Sequence, residues 1–405
     1  MSKRGTGPAN QHLIHEYFQP MSSETPRTVS TSLHIGELTG LRALLALWVL
    51  IGHAAGLAEL GSTGFGHFLQ RGDLAVDVFI ILSGFVITLA LNKRPTSWSA
   101  FMRDRFRRLM PAYFVTLAVA VCLLPYQGEL FQKMGTFDPQ TVSEWSRQQS
   151  LEVMHLPYHL FLHVTMLHGV VPIAPGQESI ALALLPVAWS LSLEWQFYVI
   201  APALHRLLFR VKAPLALLIT AAACVGTVIF NRLFHAEFPS DSALPAKFGL
   251  FFLGIYSASL ISCFSQTGKS EVGRCLMHAS PVVWLFTASV PIGLWVFVMG
   301  TILNLAGDSA RLEARIASSI LKHRILMWIG ERSYSLYLCH MLVQWLVLGA
   351  IIAVLPQAKP ILRFALLLPI SAACSLITAH FMERFLERRA GFGTASEVKM
   401  LPSVH

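Results

Sequence analysis

Long apolar runs alternate with short polar or basic segments along most of the chain. Each run has about 20 residues, the length that an α-helix needs to cross a hydrocarbon core of about 30 Å. Because a backbone in lipid must satisfy its own hydrogen bonds, each run is predicted to be helical. The pattern therefore predicts an all-α fold, a polytopic transmembrane helical bundle of about ten helices. The candidate spans are 41–60, 74–91, 109–125, 156–173, 187–209, 213–233, 247–264, 282–305, 335–355 and 361–382.

Both ends of the chain are polar and are predicted to lie outside the bundle. The first residues lack the apolar segment of a cleaved signal peptide. We expect a disordered cytoplasmic tail over 1–35, a transmembrane domain over 36–386 and a cytoplasmic C-terminal tail over 387–405.

The composition favours a membrane protein, since 54% of the 405 residues are hydrophobic and only 13% are charged. Soluble domains average about 25% charged residues. The net charge of +9 comes from basic loops between apolar runs, which fits the positive-inside rule. A nucleic-acid-binding protein would instead carry a basic face on a polar domain. We expect membrane lipids as partners and no nucleic acid.

The basic loops predict that both termini lie in the cytoplasm, but one segment disagrees. With ten spans, the following residues would lie outside: His205, Arg206, Arg210 and Lys212. The weakest span is 156–173, which contains His159, His163 and His168. A re-entrant segment there would move the disagreeing residues inside, although the later loops would then need another correction. The topology of 156–173 stays open.

The cysteine and histidine patterns do not predict a metal site. The six cysteines lie mostly in apolar runs without CxxC spacing, which is typical of small buried hydrophobic residues. His155, His159 and His163 would share one helical face and could hold a metal, but no HExxH motif or cysteine accompanies them. We expect no metal.

The first span contains Arg42 at its entrance and His53 farther along. A separation of eleven residues is almost three helical turns, so both side chains lie on one face, about 16 Å apart along the axis. An ionisable residue at the depth of His53 is a functional candidate, although a histidine bonded to a neighbouring helix is the plainer alternative.

The second span contains Asp77, which we expect to lie close enough to His53 to orient its imidazole for general-base catalysis. The alternative is a carboxylate that interacts with the helix dipole, which suits Asp73 better. Ser83 and Gly84 form a small pair in the middle of this helix, which is typical of close helix packing.

The segment before the third span contains Arg105 and Arg108, three residues apart on one helical face. Two guanidinium groups in this arrangement could bind a phosphate-bearing ligand. Anchoring at the cytoplasmic surface also predicts basic residues here, but it does not predict the sequence continuing to Pro111 and Tyr113.

The fifth span places Ser190, Glu194 and Tyr198 on one helical face next to Trp189. An intramembrane carboxylate between aromatic rings suits a sugar or another polar acceptor. A structural glutamate in an interfacial aromatic belt is the alternative.

The ninth span contains Tyr337 and His340, so a second histidine lies in an apolar helix. Intramembrane His, Asp and Glu would also suit the proton relay of a transporter. Transporter folds commonly contain internal repeats, and the sequence shows none.

In their order along the chain, these motifs resemble the acyltransferase-3 family of bacterial membrane proteins, which O-acylate extracytoplasmic glycans. The resemblance covers roughly 36–386. It is carried by Arg42 with ten residues before His53, by GDLAVDVFIILSGF, by Arg105-x-x-Arg108 with a proline, by WSLSLEWQFY, and by GERSYSLYLCH.

The resemblance implies acyl-CoA (acetyl-CoA by default) as co-substrate, with no tightly bound cofactor. His53 would be the general base or a transient acyl carrier, with Asp77 and Glu194 as further catalytic residues. The acyl-CoA would bind Arg42, Arg105 and Arg108. The implied acceptor residues are Trp189, Ser190, Tyr198, Tyr337 and His340.

The implied acceptor is a polysaccharide, such as an exopolysaccharide or O-antigen, or a lipid-linked glycan, at the bacterial inner membrane. A transporter and an acyltransferase for a small molecule remain alternatives. The acyl group, the role of His53 as base or carrier, and the oligomeric state stay open.

Overall fold

Helices dominate the computed structural model, which confirms the predicted all-α membrane bundle. The structure describes residues 36–61, 64–93, 96–134, 137–173, 179–208, 211, 213–238, 240–263, 272–280, 289–305 and 310–388. These residues belong to one compact unit. The predicted tails, 1–35 and nearly all of 387–405, lie outside the described residues.

The helices follow the predicted apolar runs closely at most positions. In chain order they are α1 (Gly36–Leu57), α2 (Gly64–Gln70), α3 (Gly72–Lys93), α4 (Trp98–Gln132), α5 (Pro139–Met154), α6 (Leu156–Val164), α7 (Trp189–Leu208), α8 (Ala213–Phe234), α9 (Leu244–Cys263), α10 (272–280), α11 (Val290–Leu305), α12 (Leu312–Leu321), α13 (Arg324–Glu331), α14 (Ser333–Val354) and α15 (Pro360–Met382).

Six helices in the described part of the chain are long and apolar enough to span a membrane. These spans are α1 (Gly36–Leu57), α2 together with α3 (Gly64–Lys93), α4 (Trp98–Gln132), nearly all of α8 (Pro214–Phe234), α14 (Ser333–Val354), and α15 with the turn that follows it (Pro360–Glu387). At 35 residues, α4 is about 52 Å long and exceeds the hydrocarbon core, so its first turns extend to the membrane surface. Ser97 caps that end by accepting a hydrogen bond from the Ala100 amide.

Polar contacts between helices show which helix ends lie together at each end of the bundle. At one end, which we call the arginine-rich end, the Trp98 indole donates to the Val199 carbonyl at 2.9 Å, and Lys322 pairs with Glu37 at 2.6 Å. At the opposite end, Arg363 pairs with Glu59 at 2.9 Å. This grouping makes α1, α4 and α14 run away from the arginine-rich end, while α3, α7 and α15 return to it.

The predicted span 156–173 is wrong. Its only helical part is α6, whose nine residues extend about 13 Å, less than half of the hydrocarbon core. Its histidines, His159, His163 and His168, are buried in the protein, whereas Phe161 and Val164 are exposed. Of the basic stretch that disagreed with ten spans, His205 lies at the arginine-rich end, where it bonds to Asn92 at 2.7 Å, while Arg210 and Lys212 lie outside the described residues.

The helix 272–280 was not predicted from the sequence. Gly273 lies against Asn304 and Gly300, and Met277 lies against Gly300, so α10 packs antiparallel to α11. The predicted span 282–305 corresponds to the shorter helix α11, and residues 281–288 lie outside the described residues.

Close packing of α3 on α9 fixes the position of the functional face of α3. A Cβ atom on Gly84 would lie 2.4 Å from the Phe251 carbonyl oxygen, and one on Gly254 would lie 2.1 Å from that of Ile81. Only glycine fits at these contacts, as the small pair at Ser83 and Gly84 predicted. The backbones approach closely enough to hold Ser83 toward α7.

Candidate active site

A pocket opens among α1, α3, α4, α7 and α14 and encloses about 1020 Å³ of empty space, including its open mouth. Its polar walls contain most of the residues that the sequence analysis selected from different spans. These polar lining residues are Arg42, Ser83, Arg105, Arg108, Ser190, Glu194, Tyr198, Ser333, Tyr334 and Tyr337. Helical periodicity therefore placed the predicted residues of α4 and α7 together on the faces that line this pocket.

Three guanidinium groups face this pocket, from Arg42 on α1 and from Arg105 and Arg108 on α4. No salt bridge joins any of them to a carboxylate of the described residues. The Arg105 guanidinium lies over the rings of Phe101 and Tyr198, at 5.4 and 5.9 Å from their centroids. Cations that are held together without direct salt bridges in a low-dielectric site favour an anionic ligand.

Glu194 is bound by hydroxyl groups on both sides of the pocket. The Tyr198 hydroxyl donates to Glu194 Oε1 at 2.5 Å, and the Ser83 hydroxyl donates to the same oxygen at 2.7 Å. Tyr198 lies one turn after Glu194, as predicted, whereas Ser83 comes from α3. The two donors hold the carboxylate in a fixed position beside the arginines.

Tyr337 connects the arginine pocket to a deeper pair of histidines. Its hydroxyl lies 2.8 Å from the Ser190 hydroxyl and donates to the Val187 carbonyl at 3.0 Å. One turn along α14, His340 packs against Tyr337, with ring centroids 5.9 Å apart. The Tyr337 hydroxyl thus meets Ser190 at the pocket wall, while the Tyr337 ring packs against His340.

His53 lies against His340, with the two ring centroids 5.3 Å apart. Nδ1 of His340 lies 2.8 Å from the Tyr337 carbonyl oxygen. A carbonyl only accepts hydrogen bonds, so Nδ1 carries the proton and Nε2 of the neutral ring presents a lone pair. In the described structure this buried Nε2 atom has no hydrogen-bond partner. Nε2 of the neutral His340 ring can therefore accept a proton beside His53.

The sequence of the chain matches a known family of proteins. The sequence model of the acyltransferase-3 family, described as an acyltransferase domain, matches residues 35–380. The chain belongs to the acyltransferase-3 family. The resemblance, the enzyme class and the membrane bundle are thereby confirmed, and the protein is an acyltransferase rather than a transporter.

Two groups of relatives align with this acyltransferase. Acyltransferase MdmB of Streptomyces mycarofaciens is 25% identical, over 78% of this chain and 80% of its own length. Peptidoglycan O-acetyltransferase OatA of Listeria monocytogenes is 24% identical over 89% of this chain, and the putative peptidoglycan O-acetyltransferase YrhL of Bacillus subtilis is 25% identical over 76%. The alignments cover only 56% and 48% of these two relatives. No solved structure is significantly similar to the chain.

Asp77 of the acyltransferase does not orient His53. Its Oδ1 atom lies 2.9 Å from the Lys247 ammonium, which also pairs with Asp241 at 2.9 Å. The described residues show no hydrogen bond or ion pair between Asp77 and His53. Asp77 faces α9, where a full positive charge attracts it more strongly than a neutral imidazole would. Lys247 could not be recognised from the sequence as a partner of Asp77, because the two residues lie on distant segments of the chain.

Two further groups of predicted residues lie apart from the pocket. Trp189 begins α7 and is not among the residues that line it. Tyr113, which the arginine motif includes, bonds instead to His163 Nδ1 at 3.0 Å, and the His163 ring stacks on His168 with centroids 4.0 Å apart.

Within the described residues, no three His, Cys, Asp or Glu side chains have a metal-binding arrangement.

Proposed function

We propose that this acyltransferase transfers an acetyl group from cytoplasmic acetyl-CoA to a hydroxyl of a glycan at the bacterial inner membrane. The observation that carries the proposal is the set of three arginines that face one pocket without carboxylate partners among the described residues. Tyr337, which lines this pocket, packs against His340, and His340 packs against His53.

The donor assignment rests on charge and position. Acyl-CoA carries phosphates, and guanidinium groups bind phosphate oxygens through paired, charge-assisted hydrogen bonds. The positive-inside rule places the arginine-rich end on the cytoplasmic side, where acyl-CoA is produced. Arg42 and His53 are about 16 Å apart along α1, a distance that an extended donor chain can cover.

The chemistry rests on His53, through either of two balanced routes. As a general base, its ring nitrogen takes the proton from the acceptor hydroxyl, the oxygen bonds to the acyl carbon, and the C–S bond breaks. As an acyl carrier, the ring nitrogen attacks the thioester itself, and the hydroxyl then displaces the imidazole. In both routes the departing thiolate finally receives the proton. His340, rather than Asp77, is the neighbour that can assist.

The acceptor assignment rests on the relatives and on the hydroxyl-rich wall of the pocket. OatA and YrhL are named for peptidoglycan, a glycan. Ser190, Glu194 and Tyr337 offer the donors and acceptors that sugar hydroxyls require. Exopolysaccharide, O-antigen and lipid-linked glycans satisfy the same chemistry, as does a small hydroxylated molecule.

The test uses inverted membrane vesicles, labelled acetyl-CoA and a glycan extract from the host. We expect the wild type to label the glycan and His53→Ala to lose at least about 1000-fold of that rate, since a base or nucleophile is removed. His67→Ala, an exposed histidine on α2, is the matched control and should remain active. Equal labelling by His53→Ala and wild type would remove His53 from the mechanism.

A further inference from the structure

The chain does not leave the bundle where α15 ends. It continues as a π-helical turn, Glu383–Glu387, which brings Glu387 beside the start of α14. The Ser335 hydroxyl donates a hydrogen bond to the Glu387 carboxylate. Residues on both sides of Ser335, namely Tyr334 and Tyr337, line the arginine pocket. Glu387, which the sequence analysis assigned to a tail, is therefore docked behind the pocket wall.

Ion pairs hold this turn in place. Glu383 is 2% exposed and accepts a hydrogen bond from Arg388 at 2.5 Å, and it pairs with Arg332 at 3.7 Å. Arg332 in turn lies over the Trp328 ring, 4.3 Å from its centroid. The turn also packs against α4, the helix that bears Arg105 and Arg108. A wide turn inside a helix is often found at functional sites.

The Glu387 carboxylate is close enough to Arg42 and Arg108 to interact with both electrostatically, without a direct salt bridge to either. Glu194 is the other carboxylate in range of Arg42. The family model matches residues 35–380, so Glu387 comes from a segment beyond the matched region. Glu387 adds a negative charge beside the pocket, and none of the sequence motifs includes this residue.

We propose that Glu387 is an internal counter-charge of the arginine pocket, which competes with the donor's phosphates and thereby sets the affinity for coenzyme A. The inference rests on the proposed function for the identity of the donor. Its Ser335 hydrogen bond and the anchored turn keep the carboxylate at a fixed distance behind the guanidinium groups. When the donor binds, its phosphates meet arginines that Glu387 has already partly neutralised. Glu387 is thus a positioning residue that favours release of the product.

The direction in which anion affinity changes when Glu387 is substituted distinguishes this role from a structural one. Removal of a structural contact would loosen the pocket and weaken anion binding. Removal of a competing negative charge leaves the pocket more positive and strengthens anion binding. Binding that becomes both tighter and more salt-dependent is therefore specific to the counter-charge.

The experiment is isothermal titration of purified protein in lipid nanodiscs, with coenzyme A and with inorganic pyrophosphate as probes. We expect Glu387→Gln and Glu387→Ala to bind both probes about fivefold more tightly than the wild type, which corresponds to about 1 kcal/mol. Glu331→Gln is the matched control, because it removes a carboxylate at the same end that pairs with Arg332 at 3.5 Å and does not line the pocket. It should bind like the wild type.

The two probes separate the possible failures. Unchanged or weaker binding of both probes by the Glu387 variants, with normal binding by the wild type, overturns the counter-charge and leaves the proposed function intact. Tighter binding of pyrophosphate without any binding of coenzyme A supports the counter-charge and overturns the donor assignment. Failure of every variant to bind either anion overturns both.

Discussion

Charged side chains in the arginine pocket and at the opposite end of the bundle differ in whether a side chain of opposite charge pairs with them. Near the end opposite the arginines, Lys247 is held by Asp77 and Asp241, each at 2.9 Å, and Arg363 is held by Glu59. In the pocket, the guanidinium groups of Arg42, Arg105 and Arg108 have no carboxylate within salt-bridge distance among the described residues.

The difference distinguishes structural charges from functional ones. A buried charge is stable only when a partner compensates its desolvation, so paired charges complete the fold by themselves. Charges that are gathered without partners raise the energy of the empty site and become favourable when a ligand of opposite sign arrives. The first group should contribute to stability, and the second to binding.

The largest expected effect comes from removing the cation from the ion pairs of Lys247 with Asp77 and Asp241. Lys247→Met leaves Asp77 and Asp241 close together without a cation, and we expect a loss of about 3 kcal/mol in the free energy of unfolding. All three side chains are less than one third exposed, so solvent screens their interaction only partly. Thermal unfolding in nanodiscs measures the loss.

The control restores neutrality without restoring the ion pairs. Lys247→Met combined with Asp77→Asn and Asp241→Asn should recover most of the lost stability, because no uncompensated charge remains. If the single variant unfolds at the same temperature as the wild type, the ion pairs do not stabilise the fold. The distinction between structural charges and ligand-binding charges would then be wrong.

The next effect comes from the unpaired region and should appear in binding alone. Arg105→Gln removes one charge-assisted donor from the pocket, so coenzyme A should bind about 30-fold more weakly, or about 2 kcal/mol. Its unfolding temperature should not fall, because the variant removes an uncompensated charge from the empty site. Titration and thermal unfolding of the same sample measure both quantities.

The matched control is Arg71→Gln, which removes an arginine that is already paired. Arg71 bonds to Asp73 at 2.9 Å, with both side chains largely exposed, so its loss should change neither coenzyme A binding nor stability appreciably. A large fall in the stability of Arg105→Gln, with unchanged binding, would make Arg105 a structural residue.

Sequence periodicity predicted the pocket well because each helix contributes one face. The spacing of Arg42 and His53, and that of Ser190, Glu194 and Tyr198, follows from the turn of a helix whatever the tertiary structure is. The apolar length of the runs gave the membrane class and most helix bounds for the same reason.

Contacts between distant segments could not be predicted in this way. Lys247 pairs with Asp77 across two helices, and charge alone does not show which of several partners is near. The segment 156–173 looks like a membrane span because apolar residues serve equally for lipid and for the protein interior. Glu387 was assigned to a tail because a π-helical turn has no simple sequence signature.

The smallest expected effect concerns Glu194, the carboxylate inside the unpaired region. The Tyr198 and Ser83 hydroxyls hold Glu194 in place, and among the described residues it forms no salt bridge with Arg105. Tyr198→Phe keeps the ring beneath Arg105 and removes one of these donors, which lets Glu194 turn toward the guanidinium. Coenzyme A should then bind about fivefold more weakly, or about 1 kcal/mol, in titration.

Tyr334→Phe is the matched control for this prediction, since Tyr334 lines the same pocket but donates to the Leu109 carbonyl at 2.8 Å. Its affinity should stay within about twofold of the wild type, because no charge is redirected. Equal weakening in both variants would mean that any lost hydroxyl loosens the pocket. An effect confined to Tyr198→Phe would instead show that the pocket attracts anions because its own carboxylates are kept from the arginines.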